Sequence, residues 1–236
     1  MFVGLNDRDP AWHDVYEVRI STGERRLLRQ NTERIAGWIF DLEDRLRLAV
    51  RLDERGTTEV LRVDPEGFTQ VYSCSVLESC DPVRFHKDGK RVYLETNKGD
   101  ADLTRLVLFD PATGEETLVE SDPEGRVDFG SAIFSDVTDE LVGTVYVDDR
   151  SRYYWRDPAF AADYAWLAGR LPGSEIAFGA STLDERKWIV SARSDVEPGT
   201  TYLFDRDRRT LEMQYRIRER LPREHLAQMS SIRYRS

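Results

Sequence analysis

Hydrolytic chemistry needs a nucleophile, a base and donors for developing charge, and this chain offers few of each. It contains three histidines, His13, His86 and His225. His13 stands beside Asp14, the kind of pair from which an oriented base is built. Neighbouring residues on a strand point to opposite faces, however, and no serine or cysteine partner is evident. A structural place in a loop between two strands is expected for His13, and a solvated hairpin turn for His86. A Gly-x-Ser-x-Gly nucleophile elbow is absent, since Gly130-Ser131 and Gly179-Ala180-Ser181 lack the paired glycines that a strained strand-to-helix turn needs. No catalytic residue, cofactor site or metal site is assigned. The acidic pairs Asp7 and Asp9, Asp100 and Asp102, and Asp148 and Asp149 are expected in loops. Calcium wants about six to eight oxygens, and none of these pairs shows the spaced ligand series of an EF-hand. They read as strand terminators that keep sheet edges soluble.

The remaining candidates have bland readings. Tyr153-Tyr154-Trp155 could stack a ligand, yet aromatics alternate faces along a strand and fill the seams between packed sheets. Arg216, Arg218, Arg220 and Arg223 are interrupted by Glu219 and Glu224, a pattern of a solvated linker or docking surface. Cys74 and Cys80 are too few for a disulfide framework and read as ordinary thiols, with a local disulfide as the alternative. With 34 basic against 44 acidic residues the net charge is −10, which opposes a phosphate backbone and excludes nucleic acid as the expected partner. No apolar run approaches the roughly 18 residues of a membrane span, and Met1 to Pro10 lacks a signal-peptide pattern. Both cytoplasm and periplasm stay open as compartments.

The elements that carry these residues repeat. Asp64, Asp110, Asp157 and Asp205 each close a short extended run, at separations of 46, 47 and 48 residues, and Arg19 stands in the same register 45 before Asp64. Short strands at such a period are the signature of propeller blades. The clearest unit runs from Pro82 to Ser121. Val83 to Phe85 is an innermost strand, His86-Lys87-Asp88-Gly89 a hairpin turn, and Arg91 to Thr96 a second strand. Leu106 to Phe109 is a third, Asp110 to Gly114 a turn, and Glu116 to Val119 an outer strand. One blade upstream, Leu46, Leu48, Val50 and Leu52 alternate with Arg47, Ala49 and Arg51, the pattern of a half-covered strand. The fourth unit departs from this grammar. After Trp155, Asp157 is an N-cap, Pro158 suits the first helical position, and Phe160, Tyr164, Leu167 and Leu171 share a face, which predicts a helix from about Pro158 to Arg170 stopped by Gly169 and Pro172-Gly173. The expectation is an all-β chain: a β-propeller of four-stranded antiparallel blades, about five here, with one helix replacing an outer strand.

Approximate units are 1–31, 35–78, 80–121, 129–172 and 175–217, within a partial propeller spanning 1–230. Asn6 precedes Arg19 by 13 residues as Asn97 precedes Asp110, so Phe2 to Leu5 matches a second strand and the innermost strand of the first blade is missing. Either Ile232 to Tyr234 closes that gap, or the array stays open and self-associates into a homo-oligomer.

Asn6-Asp7-Arg8-Asp9-Pro10-Ala11-Trp12-His13-Asp14-Val15-Tyr16, Leu171-Pro172-Gly173 and Ser194 to Asp205 (SDVEPGTTYLFD) resemble the β-propeller of bacterial prolyl oligopeptidase family serine peptidases, in the acylaminoacyl and dipeptidyl peptidase branch. The resemblance covers essentially the whole chain, and residues 231–236 look like the start of the strand leading into that family's α/β-hydrolase domain. It implies a larger enzyme in which a propeller caps a hydrolase domain with a Ser, Asp, His triad and admits only short peptides. Its partners would be that hydrolase domain and peptide substrates, and this chain alone would be inactive. A stand-alone scaffold that binds protein or peptide is the alternative. A third possibility, an enzyme with two channel carboxylates, would need those groups within about 10 Å of each other.

Overall fold

A computed structural model describes residues 1–234; Arg235 and Ser236 lie outside the described residues. The first sheet holds β1 (Phe2–Asp9), β2 (Trp12–Val18) and β3 (Arg25–Arg29). The second holds β4 (Ile35–Phe40), β5 (Leu46–Leu52), β6 (Thr58–Asp64) and β7 (Gly67–Cys74). The third holds β8 (Cys80–Phe85), β9 (Val92–Thr96), β10 (Arg105–Phe109) and β11 (Glu116–Glu120). In the fourth, β12 (Ser131–Phe134), β13 (Leu141–Val147) and β14 (Ser151–Trp155) are followed by α1 (Pro158–Arg170). The fifth holds β15 (Glu175–Ser181), β16 (Lys187–Arg193), β17 (Thr200–Asp205) and β18 (Thr210–Arg216). Every pairing is antiparallel between strands consecutive in sequence, the meander of a propeller blade. The chain is thus a β-propeller of five blades, the first three in one compact unit (Met1–Phe129) and the last two in another that starts at Gly130.

Local chemistry explains the turns. In the hairpin joining β8 to β9, the Asp88 carboxylate accepts from the backbone N–H groups of Lys90 (2.9 Å) and Arg91 (3.0 Å) while Gly89 takes φ +67°, which a side chain would resist. Asp41 repeats the device in the second blade, accepting from the N–H groups of Glu43 and Arg45. The helix begins as its sequence demands. Asp157 accepts from the N–H groups of Ala159 (2.7 Å) and Phe160 (3.0 Å), and Pro158 follows.

Within each unit, neighbouring blades bury their faces against each other. Within the first unit, Leu48, Val60, Tyr72 and Cys74 of the second blade form one cluster with Phe85, Val92, Leu94 and Phe109 of the third. The opposite face of the second blade buries Ala49 and Leu61 with Ile35. The alternation along β5 therefore does not mark a half-covered strand, because Leu48 and Ala49 are both buried and sheets cover both sides. Within the second unit, α1 does more than edge its blade. Phe160 and Leu167 join Val142 of the fourth blade and Ile176, Trp188 and Phe204 of the fifth in a single cluster. Gly143 permits the close approach of Trp155, whose ring would stand 2.7 Å from an added Cβ.

Four local expectations are corrected. β1 continues through Asn6 to Asp9 past an irregularity in register, so Asp7 and Asp9 lie on a strand and His13 lies within β2. Gly169 sits inside α1 instead of ending it; the helix closes at Leu171, whose N–H reaches Leu167 O, and Gly173 turns the chain at φ +77°. His86 is not solvated: its side chain is largely covered and packs on Tyr93. Ile232 to Tyr234 forms no strand and is exposed, and the first sheet contains three strands among the described residues. Among the described residues, no helix is long and apolar enough to cross a membrane.

Leu167 is fully buried in the cluster joining the last two blades, so Leu167→Ala is expected to destabilise the chain by about 3 kcal/mol. Urea unfolding measures this. A loss below about 0.5 kcal/mol, typical of a surface site, would show that α1 is not part of the core.

Candidate functional site

The structure does not bring the sequence's chemical candidates together. His13 is exposed on β2, while the adjacent Asp14 is buried and points into a different set of partners. Arg8 grips its carboxylate with Nε and Nη2 at 2.7 and 2.8 Å, and the Asn31 N–H donates to it at 2.7 Å. The Arg8 guanidinium holds the Asp14 carboxyl below its usual range, against the opposing effect of burial. Asp14 is thus consumed by structure. His86 accepts at Nδ1 from the Asp88 N–H, and His225 is exposed in a short 3-10 turn (Arg223–His225). Ser131 begins β12 and Ser181 ends β15, neither on a strand-to-helix turn. Cys74 and Cys80 are both free and buried, and burial pushes both thiols up, the state of inert core thiols. Among the described residues, no group of three or more His, Cys, Asp or Glu side chains is placed to hold a metal ion.

The aromatic run divides between faces as a strand requires. Tyr153 and Trp155 stack at 5.5 Å and both meet Tyr164 of α1, whereas Tyr154 packs edge-on against Tyr146. The Tyr153 hydroxyl donates to Ile176 O of the fifth blade at 2.6 Å, so the run fastens one blade to the next.

Sequence reading missed the polar clamps that cross these seams. Glu185, buried in the β15–β16 turn, accepts from Ser135 Oγ (3.0 Å) and the Asp136 N–H (2.7 Å) of the fourth blade. Asp163 of α1 is buried and meets Arg206 and Arg209 (2.7 Å) of the β17–β18 turn, with the Arg206 guanidinium 4.7 Å from the Phe160 ring. In the first unit Arg29 donates to Gly67 O (2.8 Å) and lies over Phe68 (4.8 Å). Arg47 spans Asp41 (2.8 Å) and Gly89 O (3.2 Å), joining the second blade to the third. Burial pushes Asp41 up, but the Arg45 N–H and the Arg47 and Arg45 guanidinium groups outweigh it and leave its carboxyl low. Such an arrangement positions sheets.

Two surface regions remain. Across β8 and β9, Asp81 and Glu95 are cross-strand partners, and burial, then Asp81 and Asp128, raises the Glu95 carboxyl above its usual value. At the end of the chain, Arg223 holds Glu197 by two bonds (2.8 and 2.9 Å), the Met229 N–H donates to Asp195, and Arg233 meets Asp149 at 3.3 Å. The basic stretch thus splits, with Arg223 a tether and Arg216, Arg218 and Arg220 exposed.

No family model matches the chain. It is 32% identical over 228 residues to dipeptidyl aminopeptidase BIII of Pseudoxanthomonas mexicana, covering 94% of this chain and 32% of that protein. Dipeptidyl peptidase family member 6 of Caenorhabditis elegans is 24% identical over 238 residues, covering 90% of this chain and 30% of that one. The chain therefore spans about a third of the length of these curated relatives. In fold it is similar to a prolyl endopeptidase structure, with a TM-score of 0.57 at 15% identity over 94% of this chain and 34% of the other. Its homologues are thus the β-propeller parts of prolyl oligopeptidase family peptidases.

Because the folded state raises the Glu95 carboxyl, it binds a proton there that the unfolded chain has already lost, and stability falls as pH rises above the usual glutamate value of 4.5. Glu95→Gln is therefore expected to raise the melting temperature at pH 7 and to lose that advantage at pH 4. Melting curves at the two values check this, and equal effects at both would contradict the assignment.

Proposed function

We propose that this chain is the non-catalytic propeller segment of a serine peptidase, gating the access of short peptides to a hydrolase domain. The observation that carries the reading is its homology along nearly its whole length to a dipeptidyl aminopeptidase three times as long, combined with the absence of a nucleophile elbow from its own sequence. Gating is steric: a small peptide passes a narrow path and a folded protein does not. Blades tied by buried charge and aromatic contacts suit that work, because a filter has to hold its shape.

On this reading the partners are the hydrolase domain of the same parent protein and peptide substrates. Residues 1–230 form the partial propeller, and residues 231–236 begin the connection to the hydrolase domain. A second reading, a scaffold that binds protein or peptide at its loops, is favoured by bare apolar side chains in the connections, Leu183 (97% exposed) above all.

The chain alone is expected to show no turnover of dipeptidyl or aminoacyl chromogenic amides and esters, and no adduct with a serine-directed phosphonate by mass spectrometry. Turnover that survives repurification and is titrated by the phosphonate would overturn the proposal. Stable capture of a separately expressed peptidase hydrolase domain supports the gating reading over the scaffold.

A further inference from the structure

Cys74 and Cys80 are the only cysteines of the chain, and the fold gathers them at one seam. Cys74 closes β7 of the second blade and Cys80 opens β8 of the third, with residues 75–79 between them. Both are 1% exposed and belong to the apolar cluster that joins these two blades. Strand register turns their side chains toward each other. Cys74 pairs across its own sheet with Thr58, and Cys80 pairs across its own with Thr96. The thiols reach over to each other's sheet: Cys80 Sγ donates to Thr58 O at 3.7 Å, and Cys74 Sγ lies 4.0 Å from Thr96 Oγ1. Cys74 Sγ also donates at 3.2 Å to Ser79 O, the carbonyl of the peptide unit that leads into Cys80.

The surroundings give the two sulfurs different characters. Burial raises the Cys74 thiol, but the Cys80 thiol and the Thr96 hydroxyl donate toward it and the Lys98 ammonium adds its charge, all favouring a thiolate there. Lys98 is held close by the Tyr72 ring, 4.4 Å away. Cys80 is raised by burial and raised further by Cys74, so it is the sulfur that keeps its proton. The connection that follows Cys74 is exposed at Ser75, Val76 and Leu77, and the backbone beside the thiol already meets water.

We infer that Cys74 and Cys80 are an oxidation site, which hydrogen peroxide converts to a disulfide that staples the second blade to the third. The Cys74 thiolate attacks one peroxide oxygen and the O–O bond breaks; the sulfur becomes a sulfenic acid and the other oxygen leaves as hydroxide, which takes up the proton that Cys74 released. The Cys80 sulfur then attacks the Cys74 sulfur, its proton joins the departing hydroxyl, and water is released. Two thiols and one peroxide thus give one disulfide and two waters. Peroxide suits the place because it is little larger than water, whereas a bulky reagent would have to open the seam, and toward such reagents the buried thiols stay inert. This goes beyond the gating role and does not depend on it, since it rests on one seam within the first unit.

The folded chain is treated with hydrogen peroxide, quenched with catalase, unfolded in guanidinium and alkylated with iodoacetamide. Mass spectrometry then reads the peptide that holds both cysteines. It is expected to have lost the two thiol hydrogens, to carry no label, and to take up both labels after dithiothreitol. Cys74→Ser and Cys80→Ser, each with one thiol left, are expected to give no reducible product in the monomer. Full labelling after peroxide would overturn the inference, and so would sulfinic acid on either residue without a reducible product, or a reducible bond formed only between two chains. Hydrogen exchange tests the staple itself. Amides of β7 and β8 are expected to exchange about tenfold more slowly in the oxidised chain. Unchanged or faster exchange there would contradict a bond that holds the seam.

Discussion

A four-stranded sheet has two faces and cannot bury either by itself, so everything in this molecule depends on the seams between blades. Leu48, Val60, Phe85 and Val92 from adjacent blades are core residues only because those blades touch. The same holds for Phe160, Leu167, Trp188 and Phe204. Apolar packing alone specifies a seam loosely, because flat sheets can slide by one residue pair. Buried charge removes that freedom. Glu185 has to find Ser135 and the Asp136 N–H, Asp163 has to find Arg206 and Arg209, and a slipped seam would leave each carboxylate dry and unpaired.

This constraint takes up several of the chemically suggestive residues. Asp14, the best base orienter by sequence, is spent on Arg8 and Asn31, and Asn31 in turn bonds both the N–H and the C=O of Ile35 in the next blade. Tyr153 is spent on Ile176. What remains accessible lies in the connections: the bare Leu183 and the tethered segment after β18.

Much of the fold was legible in the sequence because turns and strand periods are local. The β8–β9 hairpin follows from Asp88 and Gly89, and α1 follows from Asp157, Pro158 and the spacing of Phe160, Tyr164 and Leu167. The family resemblance, read from segments between the repeats, agrees with the relatives found by comparison. What stayed hidden is nonlocal. Glu185 and Ser135 are 50 residues apart, and nothing near Asp163 announces that Arg206 will reach it. His13, Asp7 and Asp9 were misplaced because a register irregularity between Leu5 and Asp9 lets β1 continue where the repeat predicts a loop. Alternation in β5 misled in another way, since a strand between two neighbours is buried on both faces whatever its period.

The claim that buried charge locks the seams is tested most directly by a double-mutant cycle on Asp163 and Arg206. Asp163→Ala, Arg206→Ala and the double variant are compared by urea unfolding. The account predicts a coupling free energy of about 2 kcal/mol, because each single change leaves a desolvated partner behind. Effects that add to within about 0.5 kcal/mol would contradict it.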